Sequence, residues 1–198
     1  MNPVFHSTDL DALKWFRAIE GMTLDEMRGR LLRTEPANDA MLRGTTWHNI
    51  LENPPDEISM VMLDGFKFRV ECDAEVSLPQ IREIRARKDY EIDGVTVTIT
   101  GKVDGISGTK ITDHKLTFSE NIETYCDSYQ WRAYLDIFNA DTFEYILYAA
   151  KEKDGEIVIH NISSFKVYRY PGMKEDLEEG IRDLLVFCKE YVPEMLTK

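Results

Sequence analysis

Two acids and a lysine lie close together in the segment GKVDGISGTKITDHKLT, residues 101–117. Asp104 precedes a turn that contains glycine, and Asp113 and Lys115 follow it. If the turn joins two antiparallel strands, Asp113 and Lys115 share one face because side chains alternate, and His114 points away. Asp104 on the preceding strand then converges with Asp113. Two converging carboxylates repel each other unless a cation or a shared proton relieves them.

The residue types in this segment suit metal-assisted hydrolysis. Carboxylate oxygens favour hard divalent ions such as Mg²⁺ or Mn²⁺. Lys115 cannot bind such an ion while it is charged, but it can stabilise negative charge on a substrate or orient a water. Together these groups suit the attack of water on a phosphodiester. On spacing alone, however, an ordinary surface hairpin with an Asp–Lys pair is favoured, since such pairs are common and weak.

The hydrophobic pattern predicts the elements that position these residues. Asp64-Gly65 and Asp93-Gly94 lie between β-rich runs and indicate hairpins, and residues 105–109 form the turn to a third strand of a meander. Two more strands are predicted in TFEYILYAAK and GEIVIHNISSFKVYRY. Helical periods occur after Ser7 or Thr8, after Thr23, and over residues 37–53, 127–140 and 173–192. This order predicts an α/β (α+β) fold, with a central mixed β-sheet flanked by helices.

Four motifs, in order, resemble the PD-(D/E)XK nuclease superfamily and, within it, the RecB-like and phage exonuclease branch. They are GTTWHNILE with His48 and Glu52, GKVDGI with Asp104, TDHK with Asp113 and Lys115, and QWRAY with Gln130 and Tyr134. The proline that names the superfamily is absent, because Val103 precedes Asp104. The four motifs span residues 44 to 134, nearly half of the chain.

This resemblance implies a restriction-endonuclease-like core and a divalent-metal-dependent deoxyribonuclease, of the phage exonuclease type that acts in recombination or DNA processing. It implies that Mg²⁺ or Mn²⁺ is held by His48, Asp104, Asp113 and the His114 main-chain carbonyl. An imidazole nitrogen beside two carboxylates favours Mn²⁺ over Ca²⁺. Lys115 is expected to be the catalytic lysine. Glu52 is expected either to support catalysis from beside the ligands or to lie on the helix surface, and Gln130, Tyr134 and Arg132 are expected to approach substrate.

The chain is expected to form one PD-(D/E)XK nuclease domain over residues 1–198. Residues 1–35 would be a helical elaboration, 36–170 the nuclease core and 171–198 a packing helix. An iron–sulfur cluster is not expected, since only three cysteines exist, and Cys72, Cys126 and Cys188 are interpreted as buried apolar residues. No apolar run approaches the roughly 20 residues that cross a bilayer, so we expect a cytoplasmic protein without membrane contact, in the host cytoplasm if phage-encoded.

The formal net charge of −12 argues against a protein that coats nucleic acid through bulk charge. Contact with DNA must therefore be local, and we expect a basic track made of Arg82, Arg85, Arg87, Lys88, Lys102, Lys110 and Arg132. The resemblance also implies a possible homo-oligomer and a phage single-strand annealing protein as a partner.

Two other functions are compatible with the sequence. The chain could be a non-catalytic nucleic-acid or protein-binding accessory module on a nuclease-like scaffold. It could also be a structure-specific endonuclease or an RNA nuclease, since one metal site serves each of these reactions. Exonucleolytic or endonucleolytic action and the polarity of digestion stay open.

Overall fold

A mixed sheet of eight strands forms the centre of the part of the chain that the computed structural model describes, residues 2–19, 21–54, 58–72, 81–119 and 121–197. The first elements are β1 (Val4–His6), α1 (Ser7–Ala18), α2 (Leu24–Leu32), α3 (Asp39–Glu52), β2 (Met60–Leu63), β3 (Phe66–Val70), β4 (Ile81–Ile92) and β5 (Val95–Ser107). They are followed by β6 (Lys110–Thr117), α4 (Ile122–Cys126), α5 (Tyr129–Ile137), β7 (Thr142–Lys153), β8 (Glu156–Tyr168), α6 (Met173–Tyr191) and a 3₁₀-helix over Pro193–Leu196.

Strand β5 has more neighbours than any other strand in the described sheet. The order is β1-β5-β6-β7-β8-β3-β2, and β4 pairs with β5 along its whole length. The opposite edge of β5 is shared, because β1 pairs with residues 98–100 and β6 with residues 105–107. Residues 101–104 lie between these two partners. The sheet therefore opens beside Asp104.

Helices cover both faces of the sheet. Alternate residues of β7 show this division, because Phe143 and Tyr145 pack with Trp131 of α5, whereas Tyr148 packs with Trp47 of α3. Helix α6 packs on the same side as α5 and α1 and contributes Leu177, Ile181, Leu184, Leu185 and Cys188 to a third buried cluster. Burial of these apolar side chains is the main favourable contribution to folding.

The turn residues explain why the hairpins form where they do. The described structure has positive φ at both residues of Asp64-Gly65, Asp93-Gly94 and Asp154-Gly155. Paired positive φ values match the right-handed twist of the flanking strands, and Asp-Gly adopts them readily. Helix α2 starts with the capping box that Thr23 and Glu26 predict.

The predicted meander of β4, β5 and β6 and the five predicted helices are confirmed. Several features differ from expectation. The N-terminal segment also contributes strand β1, and helix α4 was not predicted. Strand β4 already begins at Ile81, so the basic cluster lies on a strand. The prediction that all three cysteines are buried was wrong, because Cys126 at the end of the short helix α4 is exposed and Cys72 is half-buried.

Across the residues that the structure describes, helices are too short or too polar to span a membrane.

Candidate functional site

The opening between β5 and β6 brings Asp104 and Asp113 together. Regular pairing of the two strands extends from Ser107 and Lys110 to Gly105 and Thr112, and then stops. Beyond that point, Asp104 Oδ2 accepts a hydrogen bond of 2.8 Å from the main-chain N–H of His114. A side chain thus replaces the next rung of the ladder and fixes the carboxylate in the gap.

Asp113 and Lys115 project from β6 as an ion pair. Lys115 Nζ lies 2.9 Å from Asp113 Oδ2. Asp113 is only 3% exposed, and its Oδ2 atom is buried without a well-aligned hydrogen bond to any described residue. Burial alone would lower the pKa of Lys115, but the carboxylates of Asp113 and Asp104 outweigh it and raise that pKa above its usual value. The lysine is therefore a cation at neutral pH.

The carboxyl group of Asp104 is unusually basic. Burial and the nearby charge of Asp113 raise its pKa from 3.8 to about 7. The charges of Lys115 and Lys102 and the hydrogen bond from His114 act in the opposite direction without cancelling this increase. Two acids in one partly dry site compete for the same positive charge, so an added cation would relieve their repulsion.

Helix α3 carries His48 to the same opening. Trp47, Ile50 and Leu51 bury one side of α3 against the sheet, which turns His48 toward the carboxylates. Its Nδ1 atom lies 3.4 Å from Asp104 Oδ2, and the imidazole also hydrogen-bonds to the main chain of His114. Burial lowers the pKa of His48, so the ring is neutral at pH 7 and keeps a lone pair for a metal ion.

The His114 side chain points away from the carboxylates, as the alternation of β6 predicts. Its Nδ1 atom lies 2.9 Å from the hydroxyl of Tyr148, and the two rings stack. Burial lowers the pKa of His114 to about 4, which keeps this ring neutral. The main chain of His114, rather than its side chain, therefore belongs to the candidate site.

Helix α5 places Tyr134 against the opposite side of the site. Tyr134 is buried, its pKa is raised first by that burial, and Asp113 and Lys115 are close enough to influence it. Gln130, one turn earlier, donates a hydrogen bond of 3.3 Å from Nε2 to the Tyr134 hydroxyl, which also bonds to Ser7. The pair predicted from QWRAY is therefore joined and lies beside the acidic residues.

Gly101 makes room for the Tyr134 ring, which leads to a testable prediction. A Cβ atom at Gly101 would lie 2.6 Å from Cε1 of Tyr134. Because that ring is buried and cannot move aside freely, we expect Gly101→Ala to cost about 1–3 kcal/mol of stability and to lower activity. Thermal unfolding would measure the cost. The control is Gly44→Ala in α3, where no atom lies within 4 Å, and this change should be neutral or stabilising.

Glu52 lies one helical turn after His48 and faces Lys102, with 3.7 Å between Oε1 and Nζ. Its negative charge favours the protonated form of His48, although burial of that ring is the larger effect and lowers the pKa. Glu52 is therefore near the site without contacting Asp104 or Asp113 in the described structure. This position agrees with one of the two roles left open for it, that of an acid beside the ligands.

Arg132 is not brought to the acidic pair. Its guanidinium donates to the Tyr170 hydroxyl at 3.0 Å and to the carbonyls of Asp127 and Ser128. It also lies over the ring of Trp131. These contacts hold Arg132 on the outer side of α5, so its predicted contact with substrate stays a prediction.

Glu83 is a candidate residue that the sequence did not reveal. On β4 it occupies the position opposite Asp104, because Arg82 pairs with Gly105 and Ile84 with Val103. Its φ of 59° is unusual for a residue with a side chain, and it forms an ion pair with Lys102. One carboxylate oxygen of Glu83 is buried without a well-aligned hydrogen bond. Strain of this kind occurs often at functional sites, but no sequence pattern signals it.

The donor atoms in the opening suit a hard divalent cation. Asp113 Oδ2 is a buried oxygen without a hydrogen bond, and Asp104, His48 and the His114 main chain adjoin it. Within the described ranges, however, no three His, Cys, Asp or Glu side chains already meet in a metal-binding arrangement. Lys115 holds Asp113 and an N–H group holds Asp104, so binding would require small side-chain rotations.

No protein-family model and no curated protein sequence matches the chain. Solved structures do resemble it. SSO0001 has a TM-score of 0.55 at 14% identity, over 94% of this chain and 77% of that one. LHK-Exo of Laribacter hongkongensis in complex with dAMP has a TM-score of 0.49 at 13% identity, over 96% and 89%. A phage related exonuclease from Haemophilus somnus 129PT has a TM-score of 0.42 at 11% identity, over 96% and 83%.

At such low identity, a structural likeness speaks for the fold alone. The match to SSO0001 extends over almost the whole chain, and the central mixed sheet with helices on both faces is the architecture that the sequence predicts. The fold expected from the resemblance to the PD-(D/E)XK superfamily, and to its phage exonuclease branch, is thus confirmed.

Proposed function

We propose that the protein is a divalent-metal-dependent deoxyribonuclease that hydrolyses phosphodiester bonds of DNA, in the manner of a phage-type exonuclease. The observation that carries this proposal is the convergence of Asp104, Asp113 and a protonated Lys115 at one opening of the sheet. Two buried carboxylates with an unsatisfied oxygen favour a cation, and a lysine beside them favours an anionic substrate.

Each residue has a separate role in this proposal. Asp104, Asp113, the neutral His48 and the His114 carbonyl would hold Mg²⁺ or Mn²⁺. The ion would polarise the phosphoryl oxygen and acidify the attacking water. Lys115 keeps its proton and stabilises the negative charge that grows on the phosphoryl group. Glu52 and Glu83 hold Lys102 beside the site. Tyr134, with Gln130, supports Lys115 and approaches substrate, and Arg132 would contact substrate farther out.

The proposal is tested with linear DNA labelled at its 5′ or 3′ end, as duplex and as single strands, with circular DNA as a control for free ends. Cleavage is measured in Mn²⁺, Mg²⁺ and EDTA, for the wild type and for Asp113→Asn. We expect cleavage that requires the metal and is lost in the variant. The labels assign the polarity, and resistance of the circles would establish exonucleolytic action. RNA of the same sequence tests the choice of nucleic acid.

Binding of Mn²⁺ gives a readout that does not depend on cleavage. A ligand that binds only the folded state raises the melting temperature. Mn²⁺ should therefore raise that of the wild type and should raise that of Asp113→Asn much less. A folded wild type that neither cleaves nucleic acid nor gains stability from Mn²⁺ would contradict the proposal and favour the accessory-module alternative.

The finer features of this proposal concern where and with what the protein acts. We propose that it acts in the cytoplasm, that of the host if it is phage-encoded, in recombination or DNA processing. A homo-oligomer would bring the same acidic surface and the same opening to DNA several times, which light scattering would detect. Association with a phage single-strand annealing protein would be tested with the purified partner.

A further inference from the structure

A basic groove leads away from the candidate site along β4 and β5. It has a volume of about 580 Å³ and is lined by His6, Arg85, Ala86, Arg87, Thr100, Gly101 and Lys102. Arg85 pairs with Lys102 and Arg87 with Thr100 across the two strands, and His6 of β1 pairs with Thr100 on the other side. Residues directly opposite each other share a face of the sheet, so the cations form a row that starts beside Asp104.

The structure separates the cations of the expected basic track into two groups. Five of them are held by acceptors of the protein itself. Arg82 donates to the Leu51 carbonyl, Lys88 to Asp136, Lys110 to Glu144, Lys102 pairs with Glu83, and Arg132 is held on α5. Lys88 lies on the opposite face of β4 because it follows Arg87 directly. The expectation of one continuous track over all seven cations was therefore wrong.

Arg85 and Arg87 form the second group. Both are exposed, and neither forms an ion pair or a hydrogen bond with any part of the chain that the structure describes. Two unpaired guanidinium groups side by side are unusual on a protein with a net charge of −12, because acids are abundant. Placed two residues apart on one strand, they are about 7 Å apart along the chain, comparable to successive phosphates of an extended nucleic-acid strand.

We propose that this groove binds the sugar–phosphate backbone of the substrate strand on one side of the cleaved bond, with Arg85 and Arg87 each contacting a phosphate. Thr100 and His6 line the far side of the groove and offer a hydroxyl and an imidazole. The inference rests on the proposed nuclease function and adds to it the path of the strand. It also explains how an acidic protein holds a polyanion, since the contact is confined to one row of cations.

The experiment measures DNA binding in EDTA, where cleavage cannot interfere. Fluorescence anisotropy of a labelled oligonucleotide is recorded over a series of salt concentrations for the wild type and for Arg85→Ala/Arg87→Ala. Each lost phosphate contact should reduce the slope of log K against log salt by about 0.7 on single strands and about 0.9 on duplex DNA. We therefore expect the double variant to lose about 1.4 or about 1.8 of the slope, respectively.

A matched control removes the same charge elsewhere. Arg17→Ala/Arg182→Ala also deletes two arginines, which pair with Asp183 and Asp93 on the α1–α6 side, and its slope should equal that of the wild type. Arg85→Lys/Arg87→Lys keeps the charges and should restore the slope, which separates charge from a change in folding. An unchanged slope for the alanine variant, or an equal loss in the control, would overturn the inference.

The two proposals fail in distinguishable ways. If the wild type binds DNA through Arg85 and Arg87 but cleaves nothing in Mn²⁺ or Mg²⁺, the nuclease function is wrong and the backbone-binding groove is supported. If the wild type cleaves DNA while loss of both arginines changes neither affinity nor salt dependence, the groove is wrong and the nuclease function stands.

Discussion

Replacing Asp104 by asparagine is expected to abolish DNA cleavage and, at the same time, to raise the melting temperature of the metal-free protein. The wild-type carboxylate is buried beside Asp113, and its pKa is raised from 3.8 to about 7. Asparagine removes the repulsion and keeps an oxygen that can accept the hydrogen bond from His114. The active residue is thus one that the folded protein holds at a cost in stability.

The pH dependence gives the sign and the limit of this effect. Because the folded-state pKa of Asp104 lies above that of the unfolded chain, its contribution to stability is present at low pH and is lost as the pH rises from about 4 to about 7. The gap between those pKa values corresponds to at most about 4 kcal/mol. Each kcal/mol should shift the melting temperature by about 2–4 °C for a chain of this size.

Thermal unfolding in EDTA at pH 5 and pH 8 measures this prediction. Asp104→Asn should exceed the wild type more at pH 8 than at pH 5, and Mn²⁺ should no longer stabilise it. Asp136→Asn is the matched control. Burial alone would raise the pKa of Asp136, but hydrogen bonds from Lys88 and Tyr90 lower it, so this change should destabilise the protein. A lower melting temperature for Asp104→Asn at pH 8 would show that the two acids do not oppose folding.

Lys115→Ala should lower cleavage by about 100-fold to 1,000-fold while leaving Mn²⁺ binding in place. The lysine is expected to stabilise charge in the transition state, and loss of one such group typically has an effect of this size. It is not a ligand, and in the metal-free protein its ammonium group occupies the carboxylate that an ion would use. Removing it should therefore not weaken the binding of Mn²⁺.

Single-turnover cleavage and the melting temperature with and without Mn²⁺ together test this separation of roles. The control is Lys110→Ala, which removes a lysine from the same strand whose partner is Glu144, away from the opening. That variant should cleave like the wild type. If Lys115→Ala cleaves DNA normally, the lysine only neutralises Asp113; if it no longer responds to Mn²⁺, the lysine is needed to shape the ligand set.

Local chemistry made much of the fold and of the site accessible from the sequence. Asp-Gly pairs define the hairpins through their positive φ values, and the caps and apolar periods locate the helices. The alternation of β6 places Asp113 with Lys115 and turns the His114 ring away. These features depend only on residues near each other in the chain.

Other features depend on partners that are distant in sequence. Strand β1 has only three residues, and its place on β5 comes from an edge that β6 leaves free. Glu83 matters because of its backbone conformation and its position opposite Asp104, which composition does not encode. The cations of the expected track looked alike in the sequence. Only tertiary contacts distinguish Arg82, which reaches a carbonyl of α3, from the unpaired Arg85.

The shared edge of β5 also constrains how the chain can change in length over evolution. Strand β6 is held on one side by β5 next to the turn and on the other by β7 along residues 110–117. An inserted or deleted residue between the turn and Asp113 would rotate every later side chain of β6 to the opposite face, exchanging Lys115 for a neighbour. The Asp154-Gly155 hairpin, which joins β7 to β8 far along the chain, has no such burden. Loop length should therefore drift freely there and stay fixed beside Asp104.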